Sequence, residues 1–129
     1  MENELTDKQK RKIYSKFKGQ AKRRKKAFTL TQGELIGLVT LPCFYCGATN
    51  SNKTKVDGEY VYHVGLDRID NKKGYSVDNV NPCCRNCNTL RGRARYATWA
   101  NFINGVAKYR KDLNPIEFEG EPGLMIWYR

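Results

Sequence analysis

Four of the five cysteines in this chain fall in two Cys-x-x-Cys pairs, Cys43/Cys46 and Cys84/Cys87. Thiolates at that spacing, set among Lys, Arg and turn residues, suit a tetrahedral zinc better than a disulfide framework. A zinc on all four sulfurs would tie the chain into a closed loop and hold the enclosed segment against whatever follows Cys87. The odd cysteine, Cys83, also argues against a disulfide scaffold and fits a reducing, intracellular setting. Cys84-x-x-Cys87 has the better ligand spacing, so Cys83 is expected to face the core. Neither pair opens a helix within a βαβ pattern, which turns the reading away from redox chemistry.

A chain of 129 residues allows one domain with a limited apolar core. Zinc would supply stability on the order of 10 kcal/mol that the core lacks. The 24 basic and 13 acidic residues give a net charge of +11. Such a balance points to a polyanionic partner, and nucleic acid is the leading one. No apolar run reaches the roughly 20 residues that span a bilayer, and the polar stretch Met1 to Lys10 lacks an export core.

Thr6 is a helix N-cap, and Ile13, Phe17 and Ala21 recur at helical spacing, predicting a helix to about Lys26. Residues 8 to 26 hold eleven basic residues and no acidic one. That uniform sign predicts phosphate contact by Arg11, Lys22, Arg23, Arg24, Lys25 and Lys26. Thr31-x-x-Glu34 has capping-box spacing and predicts a short helix through about Leu38. Residues 49 to 58 read as a polar loop ending in the turn pair Asp57-Gly58. Glu59 to Leu66 reads as a strand, paired as a hairpin with a second around Val77 and Val80 that Pro82 ends. A helix follows from Cys84 to about Arg95, with Cys84, Cys87, Asn88 and Arg91 on one face. Another begins near Thr98, its apolar face being Trp99, Phe102, Ile103, Val106 and Tyr109. The division is thus a basic helix over 1–30, a zinc domain over 31–112 and an apolar tail over 113–129 that docks on its own domain or on a partner protein.

The order knuckle, hairpin, helix resembles the HNH nucleases, whose core is a ββα-metal unit often stapled by four cysteines. The matching residues are Cys43-Phe44-Tyr45-Cys46-Gly47, Gly65-Leu66-Asp67-Arg68-Ile69-Asp70-Asn71, Gly74-Tyr75, Asp78-Asn79-Val80, and Cys83-Cys84-Arg85-Asn86-Cys87-Asn88 with Arg91. The resemblance covers roughly residues 43 to 91. The stretch before it looks like the lead-in of small HNH-type proteins common in bacteriophages. It implies an α+β fold with a zinc-stapled ββα-metal core and flanking helices. It also implies catalytic roles for Asp67, Asn79 and Asn88, and it sets Arg68 at the remaining catalytic position. Asp67 and Asn88 would hold a catalytic Mg²⁺ or Mn²⁺, a hard cation that oxygen ligands suit. Asn79 would be the orienting residue.

This sequence departs from the family pattern at the general-base position, where Arg68 replaces histidine. A guanidinium stays protonated up to about pH 12 and cannot take a proton from water at neutral pH. It can bind phosphate bidentately, and Arg91, Arg93 and Arg95 would extend that footprint. The single histidine, His63, lies four residues before Asp67, roughly 13 Å along a strand, and reads as structural. Asp70 is a second candidate base, though Asp70-Asn71 also reads as turn chemistry. Two functions follow. One is a metal-dependent endonuclease acting on DNA rather than RNA without the usual histidine. The other is an inert HNH-fold module of viral type that binds nucleic acid or inhibits a nucleoprotein target.

Overall fold

A computed structural model describes residues 4–110 of the chain. Helix α1 spans Asp7–Arg23 and opens on a full capping box, with Gln9 N donating to Thr6 Oγ1 at 3.1 Å and Thr6 N to Gln9 Oε1 at 2.8 Å. It stops short of Lys26 because Lys25 adopts φ 57° and the N–H of Lys26 returns to Ala21 O. A left-handed residue there reverses the chain and satisfies the last carbonyls. Helix α2 spans Gln32–Val39 and repeats the device, Thr31 capping against Glu34.

The segment read as a loop contains a strand. β1 (Asn52–Val56) pairs antiparallel with β2 (Glu59–His63). Asp57 and Gly58 both have positive φ, 52° and 83°, which matches the right-handed twist of a two-residue hairpin. Lysines on the outer face hid the alternation: Lys53 and Lys55 are exposed, Thr54 and Val56 buried. The predicted single strand over 59–66 is broken at Val64, whose N–H bonds Val39 O on α2. A separate strand β3 (Gly65–Arg68) then pairs antiparallel with β4 (Val80–Cys83). Pro82 sits inside β4 opposite Leu66 rather than ending it. β4 is an edge strand, where a missing N–H costs no ladder bond.

Helix α3 (Arg85–Arg91) is shorter than expected, closed by Gly92 at φ 56°; α4 (Tyr96–Tyr109) begins two residues before Thr98. Ile13 and Ala21 of α1, Leu35 and Val39 of α2, Val56 and Val61 of the first hairpin and Leu66 and Val80 of the second share one core. A second cluster gathers Cys43, Cys83, Cys84, Cys87 and Trp99. Only part of the predicted apolar face of α4 is used. Trp99 is buried and Ile103 packs beside it, but Phe102, Val106 and Tyr109 are exposed, since the helix touches the cysteine cluster through one edge. The apolar tail, residues 113–129, lies outside the described residues.

The loop joining β3 to β4 is pressed onto the chain leaving α1. Tyr75 N donates to Ala27 O at 2.8 Å, and a Cβ on Gly74 would meet Ala27 O and lie 2.9 Å from Ala27 N. Both neighbours are backbone and cannot swing away. Gly74→Ala is therefore expected to cost about 2–3 kcal/mol, read as a lower urea midpoint with an unchanged slope.

Candidate active site and metal centre

The two knuckles meet. One ligand sulfur from each of Cys43, Cys46, Cys84 and Cys87 lies within 4.8 Å of all the others, and Cys46 Sγ is 3.5 Å from Cys84 Sγ. Sulfurs about 2.3 Å from a shared ion stand about 3.8 Å apart in a tetrahedron, so the four cysteines are positioned to hold a metal ion. The local chain builds this arrangement. Gly47 at φ 80° lets its N–H reach Cys43 O at 3.0 Å, and Cys43 N reaches Ala48 O at 2.8 Å. Cys84 caps α3, its sulfur accepting from Cys87 N at 3.3 Å. Burial drives the Cys84 thiol up to about 11 and raises that of Cys87 also. A cation among these sulfurs would reverse that direction. Cys83 is buried against the cluster, as the sequence suggested, and donates to Cys84 O at 3.4 Å.

The knuckle also reaches the second hairpin. Phe44 N donates to Pro82 O of β4 at 2.8 Å. Tyr45, packed edge-on against Trp99, donates its hydroxyl to Asp67 Oδ2 at 2.5 Å. Burial and the adjacent carboxylate push the Tyr45 phenol far up, which keeps it a donor.

Asp67 lies on β3 and is only 4% exposed. Its second partner is Arg91, whose Nη1 meets the same Oδ2 at 2.6 Å. Arg91 also donates to Arg68 O at 2.6 Å, Ile69 O at 2.8 Å and Ala94 O at 3.1 Å. It was expected on the phosphate footprint. Instead it is 3% exposed and spends its donors pinning α3 to the end of β3.

Both donors to Asp67 land on Oδ2, and Oδ1 accepts from no described residue. Trp99 Nε1 is the sole buried side-chain polar atom without a partner among the described residues. Asn88 is exposed on α3, one turn before Arg91. A carboxylate and an amide oxygen are the donor types a hard divalent cation takes.

Arg68 follows on β3 and turns away from Asp67. Its Nη1 donates to Asn71 O at 3.0 Å and Lys73 O at 3.1 Å, and its guanidinium carbon lies 5.1 Å from the Tyr75 ring centre. Nε and Nη2 are left without hydrogen bonds to described residues. Asn79 is buried and organises the same loop. Its Oδ1 accepts from Asp70 N at 2.9 Å, and its Nδ2 donates to Asp70 O at 3.1 Å and Gly74 O at 2.8 Å. No hydrogen bond joins Asn79 to Arg68. Asp70 behaves as a turn residue, its Oδ1 accepting from Lys72 N at 2.9 Å.

His63 is 2% exposed in the core under α1. Its Nδ1–H donates to Val64 O at 2.7 Å, which leaves Nε2 to accept from Thr54 Oγ1 at 2.8 Å. Burial lowers its pKa and favours the neutral ring. It is a structural residue.

Of the basic footprint, Arg11, Lys22, Arg23, Arg24, Lys25, Arg93 and Arg95 are exposed and Lys26 is half-buried. Arg24 lines a cleft of about 710 Å³ between α1, the first hairpin and the start of α3. Lys16, Lys53, Arg85 and Asn88 line it too, while Asp67 does not. The sequence reading missed Lys16, Lys53 and Arg85 because they come from three separate elements. It also missed Tyr45, although its place inside the Cys43-x-x-Cys46 loop guaranteed proximity to whatever the knuckle touches.

The fold is of the HNH endonuclease type, with two antiparallel hairpins and four α-helices among the described residues beside a cluster of four cysteines. The structure is similar to that of the rare-cutting HNH restriction endonuclease PacI, with a TM-score of 0.60 at 20% identity, covering 83% of this chain and 89% of that one. In sequence, 98 residues, 76% of this chain, are 31% identical to an uncharacterized protein of Acanthamoeba polyphaga mimivirus, of which they span only 17%. No protein-family profile matches the chain. Among the described residues no helix is long and apolar enough to cross a membrane.

Removing Arg91 would strand a buried carboxylate. Arg91→Leu is expected to cost about 3–5 kcal/mol, whereas Tyr45→Phe, which deletes one of two donors to Asp67, costs about 1–2 kcal/mol. Urea denaturation of the two variants checks both the size and the order.

Proposed function

We propose that this chain is an HNH-type, metal-dependent endonuclease that binds DNA and hydrolyses phosphodiester bonds around a structural zinc. The observation that carries the reading is the state of Asp67: a β3 carboxylate gripped on one oxygen by Tyr45 and Arg91, with no hydrogen bond from a described residue on the other. A purely structural carboxylate would use both. Asp67 Oδ1 and Asn88 would hold Mg²⁺ or Mn²⁺. Such a cation, when bound, neutralises charge on the scissile phosphate and acidifies water. Arg68 binds the phosphate through the nitrogens its loop contacts leave open. Asn79 keeps that loop, and so the Arg68 guanidinium, in place. The exposed arginines and lysines of α1 with Arg93 and Arg95 supply the salt-sensitive grip on the backbone. The likeness to PacI supports DNA as the partner. The free cysteines fit a reducing compartment.

A second reading rests on Arg68 itself. With no histidine at the site and His63 buried, the chain also fits a module that binds nucleic acid without cutting. The match to a viral protein is compatible with such a role in infection.

A supercoiled-plasmid assay with Mg²⁺ or Mn²⁺ separates the two. Nicking by the natural chain is expected to fall at least a hundredfold in Asp67→Asn and Asn88→Ala, neither of which removes Arg91's carbonyl partners. If the natural chain is silent while Arg68→His cuts, the binding module is the right reading.

Zinc is the expected occupant of the cysteine site. Metal analysis should find one zinc per chain, absent from a Cys84→Ser/Cys87→Ser variant. Complete chelation should abolish the cooperative melt, since binding there amounts to roughly 10 kcal/mol of folding free energy. A cooperative melt that survives metal removal would sink the assignment.

A further inference from the structure

The outer face of the β1–β2 hairpin takes no part in the site above. Along these strands burial alternates, so Thr54, Val56, Val61 and His63 turn inward while Lys53, Lys55, Tyr60 and Tyr62 turn outward. The register sets Lys53 opposite Tyr62 and Lys55 opposite Tyr60. Lys53 Nζ lies 4.3 Å and Lys55 Nζ 5.6 Å from the Tyr60 ring centre. The two tyrosines are 48% and 54% exposed. Lysines alone would keep such an edge soluble. Two large open rings beside them call for another explanation.

The patch is continuous with the cleft. Tyr62 and Lys53 line both, and the charged side chains of the cleft are all basic: Lys16, Arg24, Lys53 and Arg85. Lys16 Nζ is held there by Lys53 O at 2.9 Å and Thr54 Oγ1 at 3.3 Å. Asn88 stands on the same cleft, so a chain lying on the hairpin is led toward α3.

We propose that this hairpin face and cleft form a binding platform for single-stranded nucleic acid, with bases stacked on Tyr60 and Tyr62 and phosphates set against Lys16, Lys53, Lys55 and Arg85. The partner follows from the chemistry. A duplex presents base edges and phosphates to a protein, which would use the lysines and leave the ring faces idle. An unpaired strand presents both phosphates and flat base faces, and stacking on aromatic rings beside cations is how such strands are held. Tyr60 and Tyr62 are two residues apart on one strand, about 7 Å, which gives each ring room for its own base. The platform deepens the nucleic-acid reading above and rests on it: the strand that reaches the α3 side of the site is unpaired where it crosses the hairpin.

Fluorescence anisotropy with the full chain and labelled oligonucleotides tests this, using a single strand and a blunt duplex of the same length. The variants are Tyr60→Thr/Tyr62→Thr, which keeps strand-forming residues, and Tyr60→Phe/Tyr62→Phe, which keeps the rings. Single-strand affinity is expected to fall about tenfold or more in the Thr variant and to stay within twofold in the Phe variant. Duplex affinity should be little changed in either, with equal melting temperatures showing the hairpin intact. A Thr variant that binds single strands like the natural chain, or that loses duplex and single strand equally, overturns the platform. If the natural chain nicks or binds duplex while the Thr variant keeps its single-strand affinity, the platform alone fails. If the natural chain binds neither, the platform and the nucleic-acid reading both fall.

Discussion

The ion pair between Asp67 and Arg91 is where the separate parts of this small fold are joined. Asp67 belongs to β3 and Arg91 to the end of α3, while the same carboxylate oxygen also takes the hydroxyl of Tyr45 from the first cysteine knuckle. Three elements therefore converge on one buried atom. A buried pair of this kind is favourable only when its remaining donors are satisfied. Arg91 meets that condition by bonding three backbone carbonyls at the end of β3 and beyond α3. The pair fixes the angle between hairpin and helix, which is the geometry any ββα-metal site requires.

The four-cysteine centre acts on the same joint from the other side. Cys87 is one turn before Arg91 on α3, and Tyr45 stands between Cys43 and Cys46. A metal that draws the sulfurs together positions both donors to Asp67 at once. Loss of the metal would loosen the Tyr45 loop and the start of α3, so the stability of the knuckle and the orientation of the candidate catalytic carboxylate are one property. A bound metal would also let the second apolar cluster be small, since Trp99 and the cysteines would have only to support a centre held together by coordination.

Much of this was legible in the sequence, for physical reasons that differ by element. The N-cap at Thr6, the capping box at Thr31 and the cysteine spacing are local, and each fixed a feature that tertiary contacts did not override. The β1 strand was missed because its outward positions are lysines, which disguise a half-buried alternation as a polar loop. The break at Val64 was missed because its cause, a backbone bond to Val39, is long-range. The extent of the first helix was overread because basic residues continue past Arg23 while the backbone turns at Lys25. Arg91 illustrates the limit most clearly. Its charge suggested a phosphate ligand, and only the fold reveals that a partner carboxylate waits for it in the interior.

That displacement sharpens the part left to Arg68. With Arg91 buried, Arg68 is an arginine at the end of β3 still able to meet a phosphate, and its guanidinium is braced by Tyr75 and the loop carbonyls of Asn71 and Lys73. A guanidinium held by its own hairpin loop has lost much of its rotamer freedom before substrate arrives, so less entropy is spent in binding. At this end of β3 the chain places a fixed cation. Fixed positive charge favours whatever state of the phosphate carries the most negative charge, in the ground state for a binder and in the transition state for a hydrolase. The two functions open to this fold thus differ in whether a metal would be held at Asp67 in addition to the phosphate contact at Arg68.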